Sequence, residues 1–238
     1  MNNYDFNTRR DVTGVDEGMR AFFKQTYSYM ALAVLITGIT GYIVKSFFWE
    51  QIASLIYGNA VGVIGLIGVQ FLLIFMIGRN TLKNTANAFG LLMTFAVVEG
   101  LTTGVLLGLY TTASILGVFA ATAAVFGGMS AYGLMTKRNL GGLRQALFGL
   151  LVGLIVASLI NMFFPNGIVN LLISYVAVVV FSLYTAYDNQ RLKLMYAQTA
   201  GQMDTTGLAI NGALSLYLDF INLFFYLLRL FGVMNTRD

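Results

Sequence analysis

Seven stretches of the chain run for about 18 residues or more with almost no charge, long enough to cross a bilayer as helices, and short polar segments separate them. They predict membrane spans at residues 29–48, 60–77, 88–109, 113–135, 146–164, 168–187 and 208–231. Residues 52–57 read as an interfacial lead-in to the second span. Little more than Tyr110-Thr111-Thr112 divides spans three and four, and Pro165-Asn166-Gly167 makes a tight turn between five and six. The strand-length alternation with turn signals that a membrane barrel requires is missing. The pattern therefore predicts an all-α integral membrane protein with seven transmembrane helices in one domain, residues 28–232, between an amino-terminal tail at 1–27 and a short carboxyl tail at 233–238.

The first two dozen residues are polar and mixed in sign, from Asp5, Arg9 and Arg10 to Arg20 and Lys24. They predict a short cytosolic tail with an interfacial helix around residues 18–27. A cleavable signal peptide carries its apolar run close to the start and a small-residue cleavage site after it. Here the run begins near Tyr29 and no such site follows Phe48, so no cleavage is expected.

Cytoplasmic loops of membrane proteins collect Lys and Arg. The amino-terminal side holds eleven: Arg9, Arg10, Arg20, Lys24, Arg79, Lys83, Lys137, Arg138, Arg144, Arg191 and Lys193. The opposite side holds three, Lys45, Arg229 and Arg237. The strict alternation supports the count of seven and predicts a cytoplasmic amino terminus and a carboxyl terminus outside.

Composition narrows the chemistry. Of 238 residues, 58 % are hydrophobic and 10 % charged, against roughly 25 % charged in soluble domains, and the mean hydropathy is +0.76. An ordinary soluble enzyme, a disordered tail and a coiled coil are excluded. The 26 glycines and single proline suit packed spans, because glycine lets helix backbones approach closely. With no Cys and no His, disulfides, thiolate or imidazole metal sites and Cys or His catalysis are excluded as well.

Ionisable side chains inside spans cost about 2.5–3.5 kcal/mol each on insertion and normally face a cavity or a partner. Glu99 falls near the middle of span three, Asp219 within span seven and Asp188 at the cytoplasmic end of span six. Arg79 ends span two on that same side, as an anchor or as a partner for an acid. Thr102 and Thr103 lie close to the face of Glu99, which either helps to line a path or stays protonated as a structural group.

Span seven carries Asn211, Ser215, Asp219, Asn222, Tyr226 and Arg229 at steps of 4, 4, 3, 4 and 3. At about 100° per residue all six share one stripe, and Leu, Ile and Phe fill the rest of the helix. Such a helix belongs inside the protein, its stripe on a water-accessible cavity or on other helices. The Asn, Ser and Tyr members read either as cavity lining or as interhelical hydrogen-bonding glue, worth about 0.6 kcal/mol per contact. An unpaired carboxylate at Asp219 is too expensive for glue and points to function.

Asp188 follows Tyr184 on one face of span six, and the loop joining spans six and seven lies on the side of Asp188. If span six extends a turn beyond its nominal boundary, the carboxyls of Asp188 and Asp219 approach each other. Two acids in one confined site do not both ionise easily and share a proton, which makes a proton sensor without histidine. Alone, Asp188 also reads as an interfacial helix-end carboxylate.

Two segments carry a resemblance. Phe181-Ser182-Leu183-Tyr184-Thr185-Ala186-Tyr187-Asp188 and Ala213-Leu214-Ser215-Leu216-Tyr217-Leu218-Asp219-Phe220-Ile221-Asn222-Leu223-Phe224, continuing through Leu227-Leu228-Arg229-Leu230-Phe231-Gly232, resemble the last two spans of the transmembrane Bax inhibitor motif family. Glu99-Gly100 and Gly14-Val15-Asp16-Glu17-Gly18-Met19-Arg20 are similar to its bacterial branch, and the likeness covers essentially the whole chain. The resemblance implies two three-helix layers wrapped around a central carboxy-terminal helix. It also implies a pH-dependent calcium leak gated by an aspartate pair, with an arginine of span two latching one of them. By motif the pair is Asp188 and Asp219 and the latch Arg79, although Asn80 follows it and no run of bases surrounds it.

On this reading the chain is not an enzyme and needs no cofactor. Calcium is the permeating ion, held weakly and transiently by Asp188 and Asp219, since it takes oxygen ligands and a leak must release it. The expected partners are the lipid bilayer, calcium ions and protons, and other membrane proteins, with no nucleic acid; the expected location is a bacterial inner membrane. Two other classes stay open. One is an intramembrane aspartyl protease with a shared proton, although Asp219 follows Leu-Tyr-Leu rather than a Gly-x-Gly-Asp turn. The other is a regulatory or interaction protein in stress and cell survival. A rhomboid-type serine protease needs a histidine and is excluded.

Overall fold

The computed structural model describes residues 4–81, 85–199 and 205–235, with side chains from Glu17 onward. Lys83 and Arg237, and the side chains of Arg9, Arg10 and Gly14-Val15-Asp16, lie outside the described residues. The chain forms α1 (Tyr4–Phe47), α2 (Trp49–Tyr57), α3 (Ala60–Asn80), α4 (Thr85–Leu107), α5 (Thr112–Met135), α6 (Arg144–Phe163), α7 (Gly167–Thr199) and α8 (Thr206–Phe231), with a 3-10 turn at Leu140–Leu143. All but α2 contain a stretch long and apolar enough to span a membrane, so the seven spans are present. Helix starts follow the local chemistry. Asn59 accepts from the Gly62 N–H at 2.8 Å to open α3, and Thr111 caps α5. Asn166, in the turn before α7, accepts from the N–H groups of Ile168 and Val169 at 3.0 and 3.2 Å, filling donors that a helix start leaves open.

Two helices are longer than the hydropathy pattern predicts. The expected interfacial helix at residues 18–27 is not a separate element, because α1 runs unbroken from Tyr4 to Phe47. Around Gly18–Phe22 it meets the far part of α7: Phe22 stacks on Tyr196 with ring centroids 4.9 Å apart, and Gly18 leaves room for the Tyr196 hydroxyl. Asp188, expected at a helix end, lies inside α7, which continues to Thr199. Hydrogen bonds to the α5–α6 connection hold that extension. Gln190 accepts from the Leu140 N–H at 2.7 Å and donates to the Arg138 carbonyl at 2.8 Å, and Lys193 donates to the Leu134 carbonyl at 2.9 Å. The lead-in expected at 52–57 is the larger helix α2.

The central helix is α8, the most enclosed of the seven spans, which packs against α1, α3, α4, α5 and α7. Beyond it, α1 and α3 pack on α4, while α5 and α6 pack on α7. The α1–α4 seam is close because Gly100 and Gly104 stand four residues apart on the side of α4 that faces Thr40 and Val44. A Cβ at Gly100 or Gly104 would stand 2.5 Å from the Cβ of Thr40 or Val44. Helices α3 and α6 instead turn large apolar side chains outward, Phe71, Phe75, Phe148 and Phe163 among them, the composition of a lipid-facing surface.

At the end of the bundle away from the α7–α8 connection, the carboxyl segment is tied down. Met234 pairs antiparallel with Tyr110. The Thr111 N–H donates to the Val233 carbonyl at 3.0 Å and the Asn235 N–H to the Leu109 carbonyl at 2.9 Å. Lys45 reaches the Tyr110 carbonyl at 3.1 Å.

Candidate functional site

Asp219 sits in the middle of α8 and Asp188 two thirds of the way along α7, and the two helices pack side by side. Both acids line one cavity of about 590 Å³ between α6, α7 and α8, with Phe71 of α3 at its edge. Asp188 is 9 % exposed and Asp219 5 %. Oδ2 of Asp219 is fully buried and has no hydrogen-bond partner among the described residues. A buried ionised carboxylate without a partner costs several kcal/mol, so a proton or a cation has to accompany the charge there.

The polar stripe of α8 lies on this same side. Ser215, Asp219, Asn222 and Tyr226 line the main cavity, and Tyr184 of α7 faces them. Asn211 lines a smaller pocket of about 70 Å³ with Ser215, Asp188 and Arg191. At the opposite end of the stripe Arg229 is exposed, donates to Oδ1 of Asn170 at 3.0 Å and lies 5.5 Å from the Tyr226 ring centroid. The local bond from Asn222 to the Leu218 carbonyl, 2.8 Å, leaves that side chain's oxygen for the cavity. Asp188 also lines a third space of about 400 Å³ with Arg144, Gln145 and Arg191. It therefore borders all three cavities, and basic side chains stand beside two of them.

The other two ionisable groups stand elsewhere. Arg79 is exposed near the end of α3 and meets no hydrogen-bond or ion-pair partner among the described residues. The arginine that lines two cavities together with Asp188 is Arg191, three residues further along α7. Glu99, 8 % exposed, accepts a 2.6 Å hydrogen bond from Nε2 of Gln70, which also reaches Thr102 at 3.5 Å. It lines none of the three cavities bordered by Asp188.

The main cavity is lined by two carboxylates, by Ser158, Ser215, Tyr184 and Tyr226 with their hydroxyls, and by Asn222. Calcium takes about six to eight oxygens, and among the described residues no three acidic side chains stand together. Two carboxylates alone leave most of a calcium shell to neutral oxygens or water.

The family model described as "Inhibitor of apoptosis-promoting Bax1" matches residues 19–236. The chain belongs to the Bax inhibitor family. Within it, an uncharacterized membrane protein of Streptococcus pyogenes serotype M3 is 37 % identical over 98 % of this chain and 99 % of its own length. The inner membrane protein YbhL of Escherichia coli K12 is 38 % identical over 90 % of this chain and 92 % of its own. Uncharacterized protein YrjE of Lactococcus lactis is 36 % identical over the whole of this chain and 99 % of its own. This family membership, together with the seven apolar helices, makes the chain an integral membrane protein.

Three further polar contacts of this family member involve residues that the sequence pattern did not single out. Asn189, fully buried, accepts from the Tyr27 hydroxyl and donates to Ser130 and to the Thr185 carbonyl, joining α1, α5 and α7. Thr37 donates to the Ala96 carbonyl at 2.9 Å and meets the hydroxyl of the fully buried Tyr217 at 2.7 Å. Gln70, the partner of Glu99, was legible only as a lone polar residue in an apolar span.

Proposed function

We propose that the protein is a passive, pH-dependent cation leak, with calcium as the permeating ion, gated by a proton shared between Asp188 and Asp219. The observation that carries this reading is the orphaned oxygen of Asp219 in a cavity that a second acid also lines. Gaining the shared proton removes one negative charge from the pair and with it part of the attraction for a divalent ion. On this reading the Lys- and Arg-rich end of the bundle faces the cytoplasm of a bacterial cell, and Arg144 and Arg191 stand at the mouth of the site. Arg79 is the latch that the family resemblance suggests, and Arg191 is the counter-charge already beside Asp188. The chain then acts without cofactor chemistry.

Calcium entry into liposomes holding the purified protein, followed over a pH series, tests the reading. Asp219→Asn keeps the size of the side chain and removes its titrating proton, so the flux loses its pH dependence. An unchanged pH profile overturns the proposal. The aspartyl protease reading gains less support, because Asp219 lies inside an unbroken helix rather than in a turn. Cleavage of membrane peptides that stops in Asp188→Ala would restore it. A regulatory role through other membrane proteins is compatible with the leak and would show as partners that co-purify.

A further inference from the structure

A separate cavity of about 660 Å³ lies between α1 and α5, floored by Phe220 on a different face of α8 from Asp219. Its walls are apolar, with Met30, Val34 and Ile39 on one side and Phe119 and Phe126 on the other. Phe119 and Phe126 meet the Phe220 ring edge-on at 5.6 and 5.5 Å, which makes the floor rigid and aromatic. Gly38 keeps the middle open: a Cβ there would meet nothing within 4 Å. Along α1 the groove runs from Tyr27 to Tyr42, about 22 Å at 1.5 Å per residue. One leaflet's tails fill about 15 Å, half of the hydrocarbon core.

The occupant follows from the surroundings. An apolar cavity of this kind does not hold water. Leu35, Ile39 and Phe119 line it and are themselves exposed, so the mouth opens on the hydrocarbon of the bilayer, where the apolar molecules at hand are lipid tails. We propose that this groove seats one acyl chain of a bilayer phospholipid, lying lengthwise between α1 and α5 against Phe220. The site is independent of the leak reading, although its Tyr27 end adjoins Asn189 and its Phe220 floor adjoins Asp219 in sequence.

The test uses the full chain in phosphatidylcholine vesicles containing a trace of phosphatidylcholine with a photoreactive diazirine in mid-chain, and mass spectrometry to map the labelled residues. Labelling at residues 30–39 and 119–126 is expected to exceed labelling of the open lipid-facing surface at 148–163 severalfold. Gly38→Trp, whose ring fills the groove, is expected to remove the excess and leave labelling at 148–163 unchanged. Ala123→Trp, on the facing wall, serves the same purpose if Gly38→Trp fails to fold. Equal labelling of groove and open surface, or an excess that survives the tryptophans, overturns the proposal. So does efficient disulfide dimerisation of a Gly38→Cys chain in the same vesicles, which would give the groove to a second copy.

Discussion

The hydroxyl of Tyr27 donates a 2.5 Å hydrogen bond to Oδ1 of Asn189, 162 residues away in sequence and one residue after Asp188. The Asn189 amide donates to Ser130 at 3.1 Å and to the Thr185 carbonyl at 2.8 Å. Three helices thus meet at one satisfied buried side chain beside the acid. Asn189→Leu leaves the Tyr27 and Ser130 hydroxyls without this partner, a loss of about 1–3 kcal/mol. At this chain size each kcal/mol is worth roughly 2–4 °C. Thermal unfolding in detergent reads it; an unchanged midpoint would mean that the junction contributes nothing to stability.

If one proton serves both aspartates, the two sites act as a unit and their substitutions do not add. Asp188→Asn and Asp219→Asn are each expected to flatten the pH profile of calcium flux, and the double variant to flatten it no further. Glu99→Gln is the control. Glu99 is bonded to Gln70 and lines none of the cavities that Asp188 borders, so its variant should keep the wild-type pH response. Loss of that response in Glu99→Gln would move the sensor to span three.

The arginines separate by the same assay. Arg191 stands beside Asp188 in two cavities, and Arg191→Gln is expected to displace the pH profile. A latch at Arg79 predicts that Arg79→Gln also changes the response, although its side chain is exposed here. A wild-type profile in Arg79→Gln would leave Arg191 as the counter-charge of the pair.

The α1–α4 seam has no room for a side chain at Gly104, where even a Cβ would meet Val44 at 2.5 Å. Gly104→Leu is expected to cost about 1–3 kcal/mol or more through overpacking and to lower the melting midpoint accordingly. Gly127→Leu in α5, where a Cβ meets nothing within 4 Å, should be neutral in the same measurement. Equal melting of the two variants would count against a close seam.

The spans were legible because the cost of leaving polar groups in hydrocarbon writes them into the sequence as long apolar runs. The stripe on α8 was legible for a related reason: six polar side chains at helical spacing on an apolar helix require something polar beside them, and four of them do line one cavity. Hydropathy could not give the first half of α1 or the last three turns of α7. Those segments are polar, and their tertiary contacts, Phe22 on Tyr196 and Gln190 on Leu140, join residues far apart in sequence. Asn189 and Tyr27 carry no periodic signal, since their partners sit on other helices far away in sequence. The placement of Arg191 beside Asp188 depended on where α7 ends, which charge counting alone does not reveal.

The stitching of Met234 to Tyr110 also decides how the molecule can be handled. A fluorescent protein or affinity handle joined directly after Asn235 would start from a fixed point of the bundle. It would hang from the corner between α4 and α5, where the chain is already clasped by Thr111 and Leu109. A bulky one placed there would pry at that corner before it disturbed anything near the aspartates.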